Sequence, residues 1–155
     1  MIEICRDADK ILSFMTLPEI YRYAGEYGGS VDNVQISDNE SCFWLSFTSD
    51  GEVVGMTGFH KKNTCTVEFH PYILRVKKHL YNEMVQEIFT WFVGNMPEIY
   101  IKLNAVIPEI HKGAIKAAEI AGMKLEGVDR MSIRTKEGVC DRINYGITRE
   151  EIGYG

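Results

Sequence analysis

Thr64-Cys65-Thr66-Val67-Glu68-Phe69-His70-Pro71, followed shortly by Arg75-Val76-Lys77-Lys78-His79-Leu80, is the stretch on which the fold turns. Up to His70 the pattern has period two, which predicts a strand over Thr64–His70. From Val76 the period becomes helical. Val76, Leu80, Tyr81, Met84, Val85, Ile88, Phe89 and Phe92 fall on one broad apolar face, and Gly94-Asn95 closes the predicted helix. Between strand and helix, Arg75, Lys77, Lys78 and His79 crowd a helix start whose dipole and free N–H groups favour negative charge. Cations there cost roughly a few tenths of a kcal/mol each unless an anion docks among them. Two readings follow: a solvated basic turn, or a phosphate site.

The elements on either side extend the pattern. Ile2–Cys5 reads as a short strand, and Asp7–Met15 and Pro18–Tyr27 as two helices, the second ended by Gly28-Gly29. Phe43, Leu45 and Phe47 alternate along a strand that turns at Ser49-Asp50-Gly51-Glu52 and returns over Val53–His60. Lys61-Lys62-Asn63 makes the next turn. Beyond the long helix, Ile99–Val106 is a strand and Pro108 opens a helix reaching Ala121, with Gly122 at the C-cap. Arg130–Arg134 and Asp141–Ile147 are strands joined by Thr135-Lys136-Glu137-Gly138. The expected architecture is a mixed sheet flanked by helices, in one domain over residues 1–155.

Composition bounds the function classes. The 155 residues are 45% hydrophobic and 25% charged, ordinary for a globular domain rather than a disordered or low-complexity chain. A formal net charge of −5 argues against non-specific nucleic-acid binding, which needs a basic face to release counterions. No apolar run is long enough for a membrane helix, and Met1-Ile2-Glu3-Ile4-Cys5-Arg6 lacks the features of a signal peptide, so a cytoplasmic location and no membrane partner are expected. Cys5, Cys42, Cys65 and Cys140 are scattered, which suits reduced thiols and offers no metal-ligand spacing.

The second half of the chain resembles the GNAT superfamily of N-acetyltransferases, which transfer acyl groups from acetyl-CoA to amines. Lys102-Leu103-Asn104-Ala105-Val106 stands at that superfamily's strand, and Ala114, Ala118 and Gly122-Met123 keep its spacing after His111. Lys124-Leu125-Glu126-Gly127 supplies its Glu-Gly ending. The resemblance covers Glu52 to Ile147 and reaches the first fifty residues by element order only. It implies an α/β fold with a mostly antiparallel, twisted sheet of about seven strands and about four helices, splayed between the fourth and fifth strands. The splay, helped by Pro71, would admit the pantetheine arm of acetyl-CoA.

The same resemblance implies site residues. Phe69, Arg75, Lys77, Lys78, His79 and His111 would contact the cofactor, and Glu68 or His70 would act as general base. Alternation puts Glu68 and His70 on one strand face, and imidazole has the right intrinsic pKa for proton transfer near neutrality. Glu126 is a further carboxylate candidate. Departures from the motif are equally definite. The two glycines of the cofactor loop are replaced in Arg75–Leu80, the Asn of the second helix is His111, and the thiolate-protonating Tyr is Ala118.

Val67-Glu68-Phe69-His70-Pro71, Trp91-Phe92 and the close Asp141-Arg142-Ile143-Asn144-Tyr145-Gly146 also resemble short acetyltransferase-fold proteins of tailed bacteriophages, some similar to head-assembly proteins. Two functions therefore stand open. One is an acetyl-CoA-dependent N-acyltransferase; the other is an inactive protein-binding or virion-assembly factor on the same fold. Its partner would be a protein substrate or a virion component, and the chain itself a monomer or homodimer.

Overall fold

Strand β4 (Thr66–Ile73) lies at the centre of the sheet, its apolar Val67 and Phe69 covered completely and its last four residues half-buried. The computed structural model describes residues 1–154, the last by its backbone alone. Seven strands form one sheet: β1 (Ile2–Cys5), β2 (Cys42–Ser49), β3 (Glu52–Lys61), β4, β5 (Lys102–Pro108), β6 (Lys124–Thr135) and β7 (Gly138–Thr148). Their spatial order is β1-β2-β3-β4-β5-β7-β6. Every pairing is antiparallel except β4–β5, which is parallel. The described helices are α1 (Ala8–Met15), α2 (Pro18–Ala24), α3 (Tyr81–Asn95), α4 (Lys112–Ile120) and the short α5 (Arg149–Tyr154). The expected mixed sheet is therefore observed, with the fourth and fifth strands at its parallel seam.

Local chemistry sets the boundaries. The Asp7 carboxylate caps α1 by accepting the Lys10 N–H at 3.0 Å, and Pro18 begins α2 where its missing N–H costs nothing. Asp50 and Gly51 join β2 to β3 with φ of 54° and 79°, the left-handed pair of a tight type I′ hairpin. Gly122, at φ 87°, ends α4 in a Schellman motif: its N–H donates to Glu119 and the Met123 N–H donates to Ala118. This is the C-cap expected there.

Other boundaries differ from the sequence reading. The predicted helix start is instead a 3-10 segment over Arg75–Leu80, and α3 begins at Tyr81. Val76 is accordingly 78% exposed, because a tighter winding carries it off the apolar stripe of α3. The basic cluster thus precedes the first α-helical turn, where the acidic Glu83 sits. Pro108 ends β5, and α4 opens at Lys112. β4 continues beyond His70 to Ile73, while β6 runs well before Arg130, kinked by two register shifts. α2 stops at Ala24 rather than Tyr27.

Two cores cover the two sheet faces. Val67, Phe69, Leu103, Ala105, Ile107, Tyr145 and Ile147 face α3 and α4, meeting Met84, Val85, Ile88, Phe89 and Phe92. On the other face, Met56 packs with Ile11, Phe14, Met15 and Ile20 of α1 and α2. Register assigns Glu68, His70 and Tyr72 to this second face, since they pair with His60, Gly58 and Met56. No helix among the described residues is long and apolar enough to cross a membrane.

Candidate functional site

The parallel seam opens after three residue pairs. Thr66↔Lys102, Val67↔Leu103 and Glu68↔Asn104 are in register, and beyond them β4 and β5 part. The Cys65 carbonyl accepts the Ile101 N–H while the Leu74 N–H reaches Val54 on β3, both at 2.9 Å. Strict alternation between those two bonds turns the backbone of Phe69, Pro71 and Ile73 toward the gap. Pro71 therefore lacks its N–H on the side where no strand is paired. The sheet loses no ladder bond to it.

The gap widens into a cleft of about 1540 Å³ that is lined from both faces of the sheet. Glu68, His70 and Tyr72 line it on the α1–α2 face, and Phe69, Ala105, Ile107, Ala118 and Met123 on the α3–α4 face. Arg75, Lys78, His79 and Tyr81 stand on one rim, with His111, Lys112 and Gly113 at the start of α4 on another. Of the residues predicted from sequence, Glu68, Phe69, His70, Arg75, Lys78, His79 and His111 thus share one cavity. Lys77 is not among its lining residues; its Nζ lies 3.4 Å from Asp50 Oδ2 in the β2–β3 turn. Glu126 is also elsewhere, 2.5 Å from Lys102 Nζ. The Phe69 ring is buried in the core, edge-on to Phe89, so Phe69 offers the cleft its backbone.

Glu68 and His70 form the most ordered polar group in the cleft. Glu68 Oε1 lies 2.9 Å from His70 Nε2, and Glu68 Oε2 lies 2.8 Å from Lys62 Nζ. Burial pulls the Glu68 carboxyl upward, but the hydrogen bonds and charges of His70 and Lys62 outweigh it and hold the group at about 2. Glu68 is therefore a fixed carboxylate. It is too weak a base to strip an ammonium and well suited to orienting an imidazole. With Nε2 engaged, Nδ1 is the His70 nitrogen left for a ligand.

Two phenols lie beside this pair. Burial, and then the Glu68 charge, push Tyr72 up to about 12. Tyr81 is pushed further up by burial and by Tyr72. Neither hydroxyl has a hydrogen-bond partner among the described residues, yet neither is an orphaned buried atom, so both open onto the cavity they line. Burial first, and then the charge of Arg22, lower His111, favouring its neutral form; its ring packs edge-on against Tyr23 with centroids 5.3 Å apart.

Sequence reasoning missed Tyr72, Tyr81, Arg22 and Arg142. Tyr72 could have been found by continuing the alternation of Glu68 and His70. Tyr81 directly follows the basic segment, but its helical spacing marks it as core; Arg22 and Arg142 come from distant elements, and no local spacing marks them.

Acetyl-CoA fits this donor set in chemistry. Arg75, Lys78 and Lys112 bring positive charge suited to phosphates to the cavity, with His79 beside them, and the unpaired edge of β4 offers peptide groups to an amide-bearing arm.

The chain matches no protein-family model and no curated protein. Solved structures do match. The spermidine N-acetyltransferase from Vibrio cholerae in complex with CoA and spermine superposes with a TM-score of 0.80 at 14% identity, over 98% of this chain and 96% of that one. A GNAT-family acetyltransferase from Streptococcus pneumoniae gives 0.73 at 13% identity, over 96% and 98%. One from Bacillus anthracis gives 0.60 at 21% identity, over 72% and 68%. At such identities the likeness speaks for architecture, and the seven-stranded sheet opening between β4 and β5 is the fold of the GNAT acetyltransferases.

Proposed function

We propose that the protein is an acetyl-CoA-dependent N-acyltransferase, a reading carried by the Glu68–His70 pair at the lip of the cleft between β4 and β5. Acetyl-CoA would supply an activated acetyl thioester, with its phosphates among Arg75, Lys78, His79 and Lys112. Glu68 holds the imidazole and stabilises the charge it gains. His70 Nδ1 takes the proton that the acceptor amine sheds on forming the amide. Tyr81, with Tyr72 beside it, returns one proton to the departing CoA sulfur, the duty for which Ala118 has no group. The products are an N-acetylated amine and free CoA thiol, and passage of the His70 proton to Tyr81 through solvent restores both groups.

The test is calorimetric titration of acetyl-CoA together with an assay of thiol release over a panel of amines. The reading expects saturable binding, and thiol release that falls on the order of 10²-fold or more in His70→Ala. Tyr81→Phe should lower kcat with little change in KM. Absence of binding at millimolar acetyl-CoA overturns the reading.

A second reading is favoured by Ala118 and by the glycine-free Arg75–Leu80 segment. On it, the protein has given up turnover and serves as a bacteriophage head-assembly or protein-binding factor in the host cytoplasm, its cleft holding a protein segment. It expects no acetyl-CoA binding and recovery of a virion component with the tagged protein from infected cells. Failure to recover one removes its support.

A further inference from the structure

Arg142 lies on β7, and register assigns it to a definite place. Glu68 pairs with Asn104 and Asn104 with Gly146; further along, Val106 pairs with Asn144 and Pro108 with Arg142. Arg142 therefore shares the sheet face of Glu68 and His70, toward the open end of the splay, and lines the same cavity. Its guanidinium is aimed by Ser132, whose Oγ accepts both Arg142 Nε and the Arg142 backbone N–H at 3.1 Å. Ser132 is itself held by donating to the Asp129 carbonyl at 2.7 Å. Among the described residues the two terminal nitrogens have no hydrogen-bond partner, and no carboxylate forms an ion pair with Arg142.

Arg22 of α2 lines the cavity as well, stacked 4.8 Å from the Tyr23 ring centroid and equally without an acidic partner. The acids of this cavity are already engaged. Glu68 is ion-paired with Lys62 and hydrogen-bonded to His70, and Glu19 Oε2 accepts the Arg75 N–H at 2.7 Å. Asp129 stands opposite Arg142 in the β6–β7 ladder without forming an ion pair, so the pre-aimed guanidinium keeps its two terminal nitrogens for an anion, and its planar fork matches a carboxylate or phosphate. A polyamine such as the spermine held by the Vibrio cholerae neighbour would find two guanidiniums here, with Glu68 already paired to Lys62 and Glu19 the one further carboxylate of the lining.

We propose that the acceptor is a primary amine that also carries an anionic group, a carboxylate or phosphate, held by Arg142 with Arg22 contributing charge, while the amine faces His70. This rests on the acyltransferase reading and specifies its substrate class. The geometry makes Ser132 a positioning residue for the Arg142 fork.

The experiment compares acetyl transfer to matched pairs: β-alanine against β-alaninamide, and phosphoethanolamine against ethanolamine, with spermidine alongside. The anionic member of at least one pair should show a KM about tenfold below its neutral partner, as expected for one charge-assisted bidentate contact. Which pair responds separates carboxylate from phosphate. Arg142→Gln should raise the KM of the anionic member about tenfold and so erase that difference, and Arg142→Lys should restore only part of it. Equal use of both members, preference for spermidine, or equal loss on both members in Arg142→Gln overturns the proposal.

Direct titration provides an arm that needs no turnover. Propionate and inorganic phosphate are titrated into wild type and Arg142→Gln, and acetyl-CoA is titrated separately. Loss of probe binding in a folded variant that still binds acetyl-CoA supports the site. Probe binding that is absent, or the same in both proteins, overturns it. Failure of acetyl-CoA itself to bind overturns the acyltransferase reading instead.

Discussion

Glu68 and His70, two residues apart on one strand face, are joined carboxylate to imidazole at 2.9 Å, with Lys62 closing the other side of the carboxylate at 2.8 Å. The arrangement divides labour between two side chains that composition alone would rank as equivalent bases. The hydrogen bonds and charges around Glu68 outweigh its burial and keep it ionised, so it can orient the His70 ring but is a poor acceptor of a proton itself.

Stability in acid should report this pair. The folded Glu68 carboxyl, at about 2, lies below its ordinary value of 4.5, so its contribution is present in full above that ordinary value and is lost as pH falls toward about 2. Thermal unfolding measured from pH 6 to pH 2 should show wild type losing more Tm than Glu68→Gln across that window. Parallel curves would show that the pair does not stabilise the fold. In the thiol-release assay, Glu68→Gln should fall by about tenfold or more, with His70→Ala falling further.

The basic segment Arg75–Leu80 divides by direction. Arg75 and Lys78 line the cleft, whereas Lys77 is paired with Asp50. Arg75→Ala and Lys78→Ala should each raise the Kd for acetyl-CoA by about tenfold, the order expected for one charged hydrogen bond. Lys77→Ala should leave it within about twofold, since an exposed ion pair contributes little. Calorimetry on the three variants checks the order.

Arg149 should be the costliest surface-proximal cation to remove. Its guanidinium donates to the carbonyls of Tyr100, Val93, Met96 and Pro97 at 2.8–3.2 Å and lies 4.7 Å from the Phe92 ring centroid. It ties the start of α5 to the end of α3. Arg149→Met should cost about 3 kcal/mol in denaturant unfolding, and Arg149→Lys should recover less than half, because a single ammonium cannot span four acceptors.

Gly55 brings β3 against the end of β4. A Cβ there would stand 2.5 Å from Met84 Sδ and 3.0 Å from the Tyr72 carbonyl. The thioether can rotate away, but the backbone carbonyl of a paired strand cannot. Gly55→Ala should destabilise by about 1–3 kcal/mol and displace Tyr72 from the cleft wall. Chemical denaturation measures the first effect, and a changed KM for acetyl-CoA or acceptor the second.

The sequence by itself determined what depends on near neighbours. Period two and period 3.6 placed all seven strands and the first four helices in their correct order. Asp50-Gly51 made a tight hairpin and Gly122 a helix cap, because φ/ψ preference is a property of single residues. Strand alternation put Glu68 and His70 on one face for the same reason. Only the tertiary structure decided the rest. It began α3 at Tyr81, since a 3-10 turn costs little and the strand had already run on to Ile73. It turned Lys77 to Asp50 and Lys78 to the cleft. It also brought Arg22 and Arg142, from opposite ends of the chain, to one cavity beside His70. Charge acts through space, so which cations meet, and which keep no counter-ion, is set by how the sheet closes over long-range pairs.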